Sequence, residues 1–111
     1  MRLVAVALAA VTLTACAGVQ LPKESLSDPG ALLFNGYVDE KVDCWNCHNG
    51  NGQGAGRGPN LAYKVPKKSD ERLTQSIREG RGFMPAFRHL SDEQVRQLIA
   101  WLRTSFPQAK E

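Results

Sequence analysis

Cys44-Trp45-Asn46-Cys47-His48 is the stretch on which the reading of this 111-residue chain turns. Two cysteines separated by two residues can each form a thioether with one of the two vinyl groups of a haem. The histidine that follows directly is then held beneath the iron as an axial ligand, and this is the spacing of c-type haem attachment. Three other chemistries use a Cys-x-x-Cys pair: a redox dithiol, a zinc half-site and a structural disulfide. A thioredoxin-like dithiol opens a helix, but the residues after this pair, Asn49-Gly50-Asn51-Gly52-Gln53-Gly54-Ala55-Gly56, cannot propagate one. A closed zinc site needs four ligands, and outside the motif only Cys16 and His89 are further Cys or His. One covalent haem c on Cys44 and Cys47, with His48 to the iron, is the expected cofactor.

Upstream of the motif the chain carries an export pattern. Arg2 supplies a positive start, and Leu3 to Val11 form an apolar run too short to span a bilayer. The run closes on Leu13-Thr14-Ala15-Cys16, with Ala17 and Gly18 following. That resembles the bacterial lipoprotein signal: an aliphatic residue, two small ones, then a cysteine. In that class the preceding segment is removed, the sulfur receives a diacylglycerol and the new amino terminus is acylated. The alternatives are an ordinary cleaved signal or an uncleaved anchor, either leaving a spare thiol at Cys16.

The expected organisation is a cleaved signal over residues 1–15, a lipidated N-terminus and tether over 16–27, a domain over 28–105 and a tail over 106–111. Several buried acyl chains hold a protein where one holds it only marginally. The expected location is therefore a bacterial membrane, with the domain in the periplasm or on the outer face of the cell membrane. The cysteine count closes, with Cys16 on lipid and Cys44 and Cys47 on haem. The formal net charge of +3 is too weak to argue for nucleic acid. It is unevenly placed: Asp39, Glu40 and Asp43 precede the motif, whereas Arg57, Lys64, Lys67, Lys68, Arg72, Arg78, Arg81 and Arg88 follow it.

Helical signals surround the motif, and no alternating strand pattern of useful length is present. Residues 17–27 show no periodicity and read as tether. Asp28-Pro29 is a helix start, and Leu32, Leu33, Phe34 and Tyr37 extend an apolar stripe to about Glu40. The glycine-rich run from Gly50 to Gly58 is a loop ended by Pro59 and Asn60, and Lys64 to Lys68 is a basic connection. Ser69-Asp70-Glu71 opens a second helix with Leu73 and Ile77 on one face, and Gly80 stops it. Ser91-Asp92-Glu93-Gln94 is a capping box, and Val95, Leu98, Ile99 and Leu102 repeat at helical spacing, with Trp101 widening the apolar face. The fold expected is all-α, about three to four helices around the haem.

The second axial position decides the function. Met84 lies in Gly80-Arg81-Gly82-Phe83-Met84-Pro85-Ala86-Phe87, between two helices. Its thioether is a soft ligand that favours ferrous iron and raises the reduction potential. The competing assignments are Met84 as core filler, His89 as the ligand, or an open site; Met1 leaves with the signal. Phe83, Phe87, Leu61, Ile77, Leu98 and Trp101 form the expected apolar pocket.

Taken together, Cys44-Trp45-Asn46-Cys47-His48, Gly58-Pro59-Asn60-Leu61, Met84-Pro85-Ala86-Phe87 and Leu90 to Leu102 resemble a small bacterial class I cytochrome c over residues 28–105. The resemblance implies a hydrogen bond from His48 Nδ1–H to the Pro59 carbonyl, and close contact of Gly30 and Phe34 with the last helix at Trp101. It also implies haem attachment outside the cytoplasm. The expected function is single-electron transfer rather than catalysis, through a His48/Met84-ligated iron. Redox proteins such as a dehydrogenase or an oxidase are the expected partners, steered by Lys64, Lys67, Lys68, Arg81 and Arg88. Two alternatives stand: a haem gas sensor or minor peroxidase with a labile Met84 bond, and a thiol- or metal-binding lipoprotein without haem.

Overall fold

The molecule is described by a computed structural model over residues 18–54 and 56–108. The expectations for the signal segment 1–15, for Cys16 and for the end of the tail lie outside those residues. Among the described residues the chain forms α1 (Pro29–Phe34), α2 (Cys44–His48), α3 (Leu61–Lys64), α4 (Asp70–Glu79) and α5 (Asp92–Ser105), with 3₁₀ turns at Lys23–Ser25 and Val65–Lys67. No strand occurs among them, and the all-α expectation holds. The helix count exceeds it because α2 and α3 are little more than single turns.

α5 is set by its ends and its face. Ser91 Oγ accepts from Gln94 N–H at 3.1 Å while Gln94 Oε1 accepts from Ser91 N–H at 3.0 Å, closing the capping box. Val95, Leu98, Ile99 and Leu102 are buried, as their spacing requires. Phe106, placed in the tail by sequence, is buried as well and ends the helix through its N–H to Leu102 O. The domain therefore extends one residue beyond its expected limit.

α1 packs directly on α5. Asp28 caps it by accepting from Gly30 N–H at 2.8 Å. A Cβ on Gly30 would lie 2.1 Å from Gln97 O and 2.6 Å from Trp101 Cβ, so only glycine permits this approach. The rings of Phe34 and Trp101 meet at 4.7 Å between centroids. Both contacts follow the resemblance.

The end of α1 corrects the sequence reading, which carried the helix to Glu40. It stops at Phe34 in a Schellman motif: Gly36 has φ +77°, its N–H donates to Leu33 O, and Tyr37 N–H donates to Leu32 O. Asn35 explains the early stop. It is fully buried, its Nδ2 donates to Ala31 O and Gly50 O, and its Oδ1 accepts from Leu21 N–H. A side chain joining three segments ends a helix that the apolar stripe alone continues.

The expected tether is the second correction. Over residues 18–21 it is part of the domain: Gly18 N–H donates to Asn46 O at 2.9 Å, Val19 N–H to Asn49 Oδ1 at 2.9 Å, and Val19 O accepts from Gly50 N–H at 2.9 Å. Tyr37 Oη–H donates to Leu21 O. Extended backbone held by loop polar groups leaves no hydrophobic period to read.

The third correction concerns the basic connection. Asn60 Oδ1 accepts from Ala62 N–H at 2.9 Å and starts α3, and a 3₁₀ turn follows. Arg103 of α5 then holds the connection, donating to Val65 O, Lys68 O and Asp70 Oδ1. α4 forms as expected, with Ser69 capping, Leu73 and Ile77 buried, and Gly80 at φ +76° closing it.

Candidate functional site

α2 is the haem motif itself, stopped one residue after His48 by Asn49 at φ +65°. Cys44 and Cys47 are both free thiols, three residues apart and so on the same side of the turn. Burial pushes the Cys44 thiol up to about 12, so it carries no thiolate at neutral pH. A redox dithiol needs that thiolate. Zinc needs more ligands, and among the described residues no three His, Cys, Asp or Glu side chains gather where they could hold a metal ion.

His48 is only 8 % exposed. Its Nδ1 lies 2.9 Å from Pro59 O. A carbonyl can only accept, so Nδ1 carries the proton and Nε2 keeps its lone pair. Burial holds the imidazole below its ordinary pKa of 6.5, against the opposing effect of the Pro59 bond, and keeps it neutral. A neutral imidazole with an uncommitted Nε2 is the form that binds iron.

The glycine-rich loop is shaped to this ring. A Cβ on Gly58 would lie 2.9 Å from Cys47 O and 3.0 Å from His48 Nδ1. Gly54 N–H donates to His48 O at 2.7 Å and Leu61 N–H to Gly52 O at 2.8 Å, which closes the loop against α2. Phe34 places its ring 6.5 Å from that of His48.

Met84 stands in a tight turn, its N–H donating to Arg81 O at 2.9 Å and its O accepting from Arg81 N–H at 3.1 Å, with Gly82 at φ +58°. A Cβ on Gly80 would come within 2.4 Å of Met84 O. Phe87 N–H donates to Ile77 O and moors the other side. The Met84 side chain is half-buried, and it packs against the same apolar core as Cys44, Leu61 and Trp101.

Phe87, Ile77 and Leu98 are buried in that core, as expected, whereas Phe83 is not. Phe83 sits fully exposed at the tip of the turn, because the Arg81–Met84 pairing turns the two intervening residues outward. His89 is turned to Asp39, with Nε2 at 3.0 Å from Oδ2. The Asp39 carboxyl is held below its ordinary value, first by the N–H of Lys41 and also by His89, against the opposing effect of burial.

The cations do gather in part. Lys68 has its pKa lowered by burial and then by Arg81, Arg72 and Lys64, so these four share one neighbourhood. Lys67 and Arg88 are exposed. Sequence reasoning missed Asn35, Asn49 and Arg103, whose roles rest on contacts between distant segments.

The donor set therefore suits a covalent haem: two free thiols on one turn, a neutral buried imidazole beside them, and a thioether at the edge of the same core. The sequence profile of the family described as "Cytochrome C oxidase, cbb3-type, subunit III" matches residues 33–102. No curated protein matches the chain.

Proposed function

The chain belongs to the cbb3-type cytochrome c oxidase subunit III family of c-type cytochrome domains and is a haem c electron-transfer protein; from that premise we propose a membrane-tethered single-electron carrier whose iron is ligated by His48 and Met84. The observation that carries this reading is the buried, neutral His48 with Nδ1–H committed to Pro59 O, next to two cysteines on one turn.

When bound, the haem supplies one-electron cycling between ferric and ferrous iron. Cys44 and Cys47 would hold it by thioethers. The Pro59 carbonyl orients His48 and raises its basicity. Met84 would contribute the soft ligand that favours the ferrous state, and the chemistry the group would supply with His48 and Met84 is electron transfer rather than reaction with oxygen or peroxide. Phe87, Ile77, Leu98 and Leu33 exclude water, which penalises the extra charge of the ferric state in the same direction.

Cys16 carries the lipid and fixes the protein to a bacterial membrane, with the domain on the periplasmic or outer side. Lys64, Lys68, Arg72 and Arg81 form the positive ground that steers an acidic redox partner, and the exposed Lys67 and Arg88 add to the positive charge.

Met84→Ala tests the ligand. An absorption-monitored redox titration is expected to show a midpoint potential well below wild type, and the reduced variant binds carbon monoxide at neutral pH while the wild type does not. An unchanged spectrum and potential would remove Met84 from the iron. Carbon monoxide binding by wild type would favour a sensor or peroxidase.

A further inference from the structure

The tether expected from the sequence is flexible chain, but the residues that follow Cys16 are not free. Gly18 N–H donates to Asn46 O inside the haem motif, and a Cβ on Gly18 would lie 1.8 Å from Trp45 O and 3.1 Å from Asn49 Cα. Val19 is bonded in both directions, to Asn49 Oδ1 and from Gly50 N–H. Leu21 N–H donates to the fully buried Asn35, whose amide also reaches α1 and the glycine-rich loop. Residues 18–21 are a strap laid across the outside of α2.

From this we propose that the strap holds the outer side of the haem-motif helix against the lipid surface, so that the domain stands on the bilayer in one restricted orientation. The proposal rests on the lipidation of Cys16. Only Ala17 separates that cysteine from Gly18. Two residues reach at most about 7 Å when fully extended. With its acyl chains inserted, Cys16 lies at the headgroups, and Gly18 cannot rise farther than that reach.

A domain pinned this close to a plane can pivot only until its own bulk meets the lipid, so the side bearing Gly18 faces down. The strap offers a surface suited to that contact. Val19 is 72 % exposed. Trp45 is half-buried beside the strap, in room left by Gly36: a Cβ there would lie 3.1 Å from Trp45 Nε1 and 3.7 Å from Gln20 Nε2. An indole with an apolar body and one polar edge favours the headgroup zone. An anchored partner would then meet this domain in a limited range of orientations, which lowers the entropic cost of docking.

The test uses lipidated holoprotein in phosphatidylcholine vesicles doped with a phospholipid bearing a photoreactive headgroup. Crosslinks are located by mass spectrometry and compared with a variant carrying ten Gly/Ser residues between Ala17 and Gly18. That insertion leaves the strap intact and lengthens the leash to a root-mean-square span of about 17 Å. In wild type the crosslinks are expected to concentrate on residues 18–25 and 45–51, and in the insertion variant to spread over the surface. A dispersed pattern in wild type, or the same pattern in both proteins, overturns the proposal while leaving the anchor in place. An intact mass without acyl chains, with wild type and Cys16→Ser both free of the vesicles, shows instead that the lipidation reading has failed, and the strap proposal falls with it.

Discussion

Pro59 acts on the site through one carbonyl oxygen, and Gly58 decides where that oxygen sits. With 2.9 Å between a Cβ at residue 58 and Cys47 O, Gly58→Val forces the loop away from α2. Overpacking of this kind costs about 1–3 kcal/mol. The expected outcome is a lower melting temperature together with a raised midpoint potential, because a less basic His48 stabilises ferric iron less well. A potential equal to wild type would show that the Pro59 bond does not tune the iron.

Asp39 is a second residue with a definite pH signature. Its folded-state pKa lies below the ordinary 3.8 through the Lys41 N–H and His89. A depressed carboxylate adds stability above its unfolded value and loses it as pH falls through the folded value. Asp39→Asn should therefore destabilise near about pH 5, and the gap to wild type should close on acidification below 3.8. Thermal melts of both proteins across that range check this, and a gap that widens in acid would reverse the assignment.

At the scale of elements, what could be read beforehand is what local chemistry specifies. Ser69 and Ser91 are followed by acidic residues and an apolar period, so α4 and α5 are written within a dozen residues. The motif residues of α2 were legible for the same reason. Asn35 was not: its amide draws on Leu21 and Gly50, neither of them close to it in sequence, and it overrides the stripe that runs through Tyr37. The strap and the Arg103 clamp are hidden likewise, since a backbone carbonyl leaves no trace in composition. Phe83 reads as pocket by its side chain and lies outside by its backbone turn.

The contact between α1 and α5 carries its own prediction. Gly30→Ala places a carbon 2.1 Å from Gln97 O, which must separate the two helices. A loss of about 1–3 kcal/mol is expected in denaturant melts of the holoprotein. A neutral substitution would mean the helices close elsewhere.

At the scale of the whole molecule, a net charge of +3 matters less than its grouping around Lys68. Association steered by such a field weakens as salt shortens the screening length from about 10 Å at 0.1 M. The bimolecular rate of electron transfer to the physiological partner should fall severalfold between low and high ionic strength in stopped-flow measurements. A rate indifferent to salt would leave the cations as a solvated face.

The attached haem itself is open to the most direct measurement. Trypsin should release residues 42–57 as one peptide, since no Lys or Arg lies between Lys41 and Arg57. Mass spectrometry of the matured protein is expected to find that peptide heavier by one haem, with both Cys44 and Cys47 refractory to alkylation. Recovery of the unmodified peptide, its two cysteines alkylated or joined to each other, would contradict the account.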